Sequence, residues 1–393
     1  MKCGVGNSSK KDVSGAAEEA LNKMKRGLGA ESKADIMICF SSVSYDQKAL
    51  VKAISECDCK ANMIGCSDAG NIVPDGPFKN SVALMGISSE KIKFTTGIGK
   101  GIDQDPKKAG SDLANAIKTQ DPNVKLVIMM ADGLAGNGAD IVRGVLSVMG
   151  DKFPVVGGSA GDDFLFKQTY EYLNGEVTSN DVVGLGLSGD FAFGIGVRHG
   201  WAPIGTPMKV TKSKGAVVYE LDGKPAVKIY EDYFGEEKAG KLREEPLARL
   251  AITYPLGMET PESDEFLIRD PITVGEDGSI TCAAEIPEGV TLRLMIGSKE
   301  EAIEAARMAA QQAVGQMKGK EVKAAIIFNC IARDKLFGRD AKKEIEAIKD
   351  VIGKKVPLIG FYTYGEQAPI AGKIHACSSV FHNETVVILT LGE

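Results

Sequence analysis

Tryptophan occurs once in this 393-residue chain and histidine three times, so haem, metal and imidazole acid–base chemistry have few side chains to rest on. No apolar run approaches the ~18–20 residues a membrane helix requires, and the opening MKCGVGNSSKKDVSG holds no stretch of signal-peptide character. A cytoplasmic protein without a membrane partner is the expectation. A concentrated basic face is missing too. Lys and Arg (47) are outnumbered by Asp and Glu (53) and interspersed with them at a net charge of −6, which argues against a nucleic-acid partner. The eight cysteines lack framework spacing, and Cys39, Cys66 and Cys330 lie in or beside apolar strand runs, so reduced thiols are expected. Cys57-Asp-Cys59 has neither a second pair nor a nearby His to complete a tetrahedral set, so no metal is assigned. G-x-x-x-x-G-K-[ST], H-E-x-x-H and G-x-S-x-G are also absent.

What is present is a unit that occurs three times: apolar strand, helix, buried strand running into a glycine-rich turn, then two further strands. The first copy has IMICFSSV at 36–43, a helix near 46–56, the turn Ile64-Gly65-Cys66-Ser67-Asp68-Ala69-Gly70 and strands near 81–87 and 91–97. The second has LVIMMADG at 126–133, a helix near 138–149, Val156-Gly157-Gly158-Ser159-Ala160-Gly161-Asp162, and strands near 169–173 and 181–187. The third has AAIIFNC at 324–330, a helix near 339–353, the segment Leu358 to Glu366, and SVFHNETVVILTL at 379–391. A period of roughly 90 residues is too long for a solenoid and points to a duplicated supersecondary unit. The fold class that follows is α/β, with mixed sheets built from three β-α-β-β-β units, two facing sheets and helices outside.

Residues 1–32 read as an N-terminal extension, a short lead helix behind a frayed end. Strand signals between 155 and 222, broken by Asn174-Gly175, Ser188-Gly189-Asp190 and Asp222-Gly223, suggest an antiparallel meander. A change of character at Pro225 places a domain boundary near 224. Beyond it, short helices are expected in PAVKIYEDYFG and at 244–251, a small meander up to VTLRLMIGS, and a helix from Ser298 with Glu301 completing its capping box.

Three glycine turns at similar strand ends suggest a shared small-molecule cleft. Gly65, Cys66 and Ser67 come from the first turn and Gly158, Ser159 and Asp162 from the second, where Asp162 or Asp163 is suited to an ammonium group. Tyr362, Tyr364 and Glu366 of the third offer aromatic walls and a carboxylate, the two tyrosines sharing a face. The alternatives are tight turns whose acids cap neighbouring amides, and a core tyrosine pair. Arg269 and Arg333 are candidate partners for a ligand carboxylate, with surface ion pairing as the other reading. His199-Gly200-Trp201 is a candidate haem ligand with a stacking surface, or a structural histidine. Cys66, Ser67, Ser159 and Cys330 are nucleophile candidates for a hydrolase or transferase, but no His lies near them in sequence. Gly184-Leu-Gly186-Leu-Ser-Gly189 matches a dinucleotide fingerprint by letters only, because a strand rather than a helix follows it; Gly97-Ile-Gly99-Lys-Gly101 carries little more.

Together, Gly65–Gly70, Gly157–Asp162, His199-Gly200-Trp201 with Pro203-Ile204-Gly205, Leu221–Ala226, Arg269-Asp270-Pro271 and Gly360–Glu366 make the chain resemble the FIST (F-box and intracellular signal transduction) proteins over roughly 34–390. The resemblance implies a FIST N domain at 33–224 and a FIST C domain at 225–393. It implies a sensory input module for a small ligand, amino acids being the usual proposal. In bacteria such modules are often joined to chemoreceptor, kinase or cyclic-di-nucleotide domains, and a subset resembles haem-binding nitric oxide sensors. No cofactor is expected, haem on His199 being the alternative. With no output domain in evidence, signalling is expected to pass to a separate protein such as a kinase, chemoreceptor or cyclic-di-nucleotide enzyme. Asp68 stands where the family commonly has a small hydroxyl residue, which bears on ligand choice.

Overall fold

A computed structural model describes residues 1–29, 32–57, 61–235 and 248–393. Cys59 and residues 244–247 of the expected short helix lie outside them. The chain begins with β1 (Lys2–Ser8) and α1 (Val13–Leu28), the latter capped by Asp12, whose carboxylate accepts from Gly15 N at 2.6 Å. The first unit follows as β2 (Ile36–Ser42), α2 (Gln47–Cys57), β3 (Asn62–Asp68), the hairpin β4 (Asn71–Val73) and β5 (Gly76–Phe78), β6 (Val82–Ser88), β7 (Ile92–Lys100) and α3 (Pro106–Gln120). The second is β8 (Leu126–Ala131), α4 (Gly138–Met149), β9 (Val155–Ser159), the hairpin β10 (Glu171–Leu173) and β11 (Glu176–Thr178), β12 (Asp181–Gly189) and β13 (Ala192–Arg198).

An inserted domain then holds β14 (Trp201–Lys214), β15 (Val217–Leu221), β16 (Lys224–Pro225), α5 (Lys228–Phe234), α6 (Ala248–Ala251), β17 (Leu256–Thr260), β18 (Ser263–Arg269), β19 (Pro271–Val274), β20 (Ile280–Cys282) and β21 (Thr291–Gly297). These strands form one eight-stranded sheet. The sequence boundary near 224 falls inside it, since Leu221 of β15 pairs with Lys224 of β16. Next come α7 (Lys299–Gln316), β22 (Ala324–Cys330), α8 (Ile331–Phe337), α9 (Ala341–Ile352), β23 (Leu358–Thr363), the hairpin β24 (Glu366–Pro369) and β25 (Ser379–His382), and β26 (Val386–Gly392).

Three six-stranded sheets, rather than two facing ones, enclose the core: β1-β6-β2-β3-β10-β11, β7-β12-β8-β9-β24-β25 and β13-β26-β22-β23-β4-β5. Their orders are superimposable. Each takes its central three strands from one unit, an edge strand from the unit before and a hairpin from the unit after. The expected meander at 155–222 is therefore not formed, because β9 and β12 sit in one sheet, β10 in a second and β13 in a third. Residues 1–8 are likewise not frayed. They supply the edge strand of the third unit, with Lys2 to Ser8 paired to Ser88 to Val82.

The inner faces (Phe40, Met85, Ile128, Leu185, Phe328 and Leu389 among them) share one apolar core. The outer faces are covered by the helix pairs α1/α2, α3/α4 and α7/α9. The borrowed edge strands carry a G-x-G that lets a helix backbone lie directly on them. A Cβ on Gly6, Gly99 or Gly196 would come within 2.0, 1.8 and 1.8 Å of the carbonyl oxygens of Ala20, Ala109 and Ala309. Gly97-Ile-Gly99 and its two counterparts are thus helix–sheet contacts. The Ser298 cap is present as expected, its hydroxyl accepting from Glu301 N at 3.1 Å, and α7 buries a face of six alanines from Ala302 to Ala313.

Candidate functional site

The three glycine turns lie at one end of the three-sided prism that the six-stranded sheets make around the shared core, and backbone hydrogen bonds join them in a ring. Ala69 N donates to Tyr362 O (3.1 Å) and Tyr362 N to Gly70 O (2.8 Å), linking the first turn to the third. Gly161 N donates to Ser67 O (3.0 Å), linking the second to the first; Ser159 N to Gly365 O (2.8 Å) and Tyr364 N to Ser159 O (3.1 Å) link the third to the second. The ring is closed and buried. A Cβ on Gly65, Gly157 or Gly360 would sit 1.9, 2.0 and 2.4 Å from the carbonyl oxygens of Cys39, Met129 and Ile327, so these glycines seat the second strand of each unit against the first. Gly158 faces Thr363 and Phe361 with no more room.

The polar residues of the ring mostly serve it. Ser67 Oγ donates to Gly161 O at 2.7 Å and accepts from Tyr170 N at 3.0 Å. Ser159 Oγ accepts from the Gln367 amide at 3.1 Å. Cys66 points into the apolar core, and burial pushes its thiol well above the ordinary range, so it is protonated and unsuited to nucleophilic attack. Asp162 accepts from Phe166 N (2.9 Å), Lys167 N (2.6 Å), Gln168 N (3.1 Å) and the Tyr364 hydroxyl, the amide-capping role. Tyr362 and Tyr364 both pack on the outer cluster beneath α7 and α9, as their spacing predicts, while Thr363 points to Glu366.

Open space adjoins the ring where all three units meet. A cavity of about 350 Å³ is lined by Val43, Ser44 and Ala69, by Lys79 and Asn80, by Asp163 and Leu165, and by Lys335. Asp163, the neighbour of the capping residue, is the acid that borders it. Its carboxylate accepts from Ser42 Oγ at 2.8 Å; burial raises its pKa, opposed by that hydroxyl and by the Lys79 and Lys335 ammonium groups. Lys79 pairs with Asp334 at 3.0 Å, and Lys335 Nζ stands 4.9 Å over the Phe164 ring. The covering loop holds Asp163, Phe164 and Phe166 at φ of 57°, 69° and 52°, a region that L-residues adopt at a cost of roughly 1–2 kcal/mol each. It exposes Leu165 (54%) and Phe166 (59%) to solvent. Sequence reading missed Lys79 and Lys335, because Lys79 lies in the bend that follows the β4–β5 hairpin and Lys335 in a helix it did not anticipate.

Glu366, Arg269, Arg333 and His199 belong instead to the seam between the inserted domain and the third unit. Neither arginine makes a surface ion pair. Arg333 is fully buried against Glu344 (Nη2–Oε1 2.6 Å) and donates to the carbonyls of Ala302 and His199. Arg269 donates to the carbonyls of Glu285 (2.9 Å), Ile268 (2.9 Å) and Phe381 (3.2 Å), and burial lowers its pKa to about 10. Glu366 accepts from the Thr363 hydroxyl and from Thr385 N at 3.2 Å. Beside it the Asp270 carboxyl group lies close enough to Glu384 to raise its proton affinity, and no donor among the described residues reaches either Glu384 oxygen. Burial raises Asp270 to about 6 and Glu384 well above its ordinary value, and pushes the Cys330 thiol far up.

His199 Nδ1 accepts from Trp201 N at 3.0 Å, which puts the proton on Nε2, 3.5 Å from the Glu265 carboxylate; burial and neighbouring cations depress its pKa to about 3. The adjoining cavity of about 290 Å³ is lined by Asp264, Glu265, Glu301 and Glu304 against one cation, Arg198, a net negative lining that disfavours haem propionates. These residues do not fit an axial haem ligand and its pocket.

Two family models match the chain: the FIST N domain over residues 35–224 and the FIST C domain over 226–369. The uncharacterized protein Rv0628c of Mycobacterium tuberculosis is 26% identical over 390 residues, covering 95% of this chain and 96% of that protein. The uncharacterized protein MJ1623 of Methanocaldococcus jannaschii is 32% identical over 184 residues, 44% of this chain and 35% of that protein. Among solved structures, a chorismatase aligns over 100% of this chain and 98% of its own at a TM-score of 0.36 and 8% identity. A cyanuric acid hydrolase from A. caulinodans covers 99% and 98%, also at 0.36 and 8%. Likeness of that size carries nothing about activity. The matched domains span nearly the whole chain, which belongs to the FIST family of sensory, signal-transduction proteins.

Proposed function

We propose that this protein is a ligand-binding sensory module whose ligand is a small zwitterion, of which a free amino acid is the simplest, and that it occupies the cavity beside the turn ring. The observation that carries the reading is the charge arrangement in that 350 Å³ space: Asp163 for an ammonium group, Lys79 and Lys335 for a carboxylate, and Val43 and Leu165 for an apolar side chain. The volume suits a small molecule, and the contributors come from all three units, so occupancy would tie the units together. The strained 163–168 loop with its exposed Leu165 and Phe166 is the element expected to close, since ligand contacts can offset φ strain and cover apolar surface. The signal would then pass to a separate protein.

Calorimetric titration with a panel of amino acids tests this. At least one should bind, and Asp163→Asn or Lys335→Met should each weaken it by about 1.5–3 kcal/mol with little change in stability. Binding indifferent to both substitutions would remove the cavity from the account. The bound ligand is expected to be recovered chemically unchanged, because the buried Cys66 and Cys330 thiols are protonated and, among the described residues, the Ser67 and Ser159 hydroxyls bond to backbone groups and the Gln367 amide rather than to a base.

A further inference from the structure

At the opposite end of the prism, where β12 turns into β13, lies a groove of about 640 Å³. Its floor is apolar: Phe191, Phe193 and Ile374 are half-buried and Met317 is buried, with the two phenylalanine rings 5.6 Å apart. Its rim is cationic. Lys318, Lys320, Lys373 and His375 line it, all exposed, and among the described residues none of the three lysines makes an ion pair. In a chain of net charge −6 this is a local inversion of sign.

One wall of the groove is a sheet edge. β13 is the edge strand of its sheet. Further along it, glutamines of α7 occupy the edge in place of a neighbouring strand. Ile195 N donates to Gln316 Oε1 (2.9 Å), Gln316 Nε2 donates to Ile195 O (3.0 Å), and Val197 N donates to Gln312 Oε1 (3.2 Å). Residues that face the edge alternate along a strand, so Phe193, two before Ile195, presents its N–H and C=O on the same side, and no partner takes them among the described residues.

We infer that this groove docks an extended segment of a partner protein in which acidic and apolar residues alternate. A strand added at Phe193 would place every second side chain over the phenylalanine floor and its carboxylates beside the lysine rim, combining edge pairing with charge complementarity. An apolar floor ringed by solvated charges is the pattern of a protein interface.

The test is fluorescence anisotropy with a labelled, end-blocked peptide of alternating Glu and Val. The intact protein is compared with the Lys318→Glu/Lys373→Glu double variant and with Lys48→Glu, an exposed control on α2. Expected are saturable binding, a loss of about tenfold or more in the double variant alone, weakening when edge-facing peptide nitrogens are methylated, and no binding of the Lys–Val counterpart. No saturation by ~1 mM peptide, or equal binding of both peptides, overturns the inference. So does displacement by laurate with no dependence on N-methylation, which assigns the groove to an anionic amphiphile. A dimer in sedimentation equilibrium that the double variant dissociates assigns it to a second copy and overturns it too.

Discussion

Replacing Glu384 by Asn should make the protein more stable, and by an amount that grows with pH. Glu384 precedes β26 at φ 55°; the equivalent positions before β6 and β12 are Asn80 (φ 49°) and Asn180 (φ 61°), residues that tolerate left-handed backbone. Relief of that strain is worth about 1 kcal/mol, and the lost methylene costs about as much, so these two nearly cancel. What remains is protonation. Burial and the Asp270 carboxyl raise the Glu384 pKa well above 4.5. A raised carboxyl contributes stability that is complete below the unfolded value and is lost as pH rises, at about 1.4 kcal/mol per pH unit while the folded protein keeps a proton the unfolded chain has released. An Asn amide does not titrate, so the variant escapes this loss. Urea unfolding should therefore give a gain of less than about 1 kcal/mol at pH 5 that rises toward pH 7 by up to about 1.4 kcal/mol per pH unit, with an unchanged m-value. A variant destabilised at both pH values, or a gain that does not vary with pH, would refute the reasoning.

Other expectations follow from single contacts. Arg333→Met leaves the buried Glu344 without its counter-ion, with only the Asn329 amide still donating to it at 2.7 Å, and should cost about 3–5 kcal/mol in denaturant unfolding, whereas Arg333→Met/Glu344→Leu should recover most of it. Asp162→Asn weakens the capping of three amides by 1–3 kcal/mol and should open residues 163–168 to limited proteolysis; uncut variant protein would contradict that role. Gly196→Val should abolish soluble expression or lower Tm sharply, since even a Cβ meets the Ala309 carbonyl at 1.8 Å, while Gly319→Asn, at φ 81° and in open space, should be neutral.

The three units were legible because each opens with an apolar strand followed by a patterned helix, and those strands appear within a residue or two of their expected places. The exchange of strands among sheets was not, since an alternating segment buries one face equally well in any sheet. Gly4-Val-Gly6 was the overlooked signal at the start of the chain. It matches Gly97-Ile-Gly99 and Gly194-Ile-Gly196, and that match would have turned a frayed leader into the edge strand of the third unit. At the site, the turns were found because close-approach glycines are visible in sequence, but their mutual pairing closed them. The charges that border open space, Asp163, Lys79 and Lys335, come from segments 79 to 335 residues into the chain that carry no common pattern.

The most direct test of the central claim is the crystal structure of the protein with the amino acid that binds most tightly. The ligand is expected in the cavity beside the turn ring, its ammonium within hydrogen-bond distance of Asp163, its carboxylate toward Lys79 and Lys335, and the 163–168 loop closed over it. A ligand bound in the acidic cavity beside His199, or elsewhere with that loop unmoved, would contradict that claim.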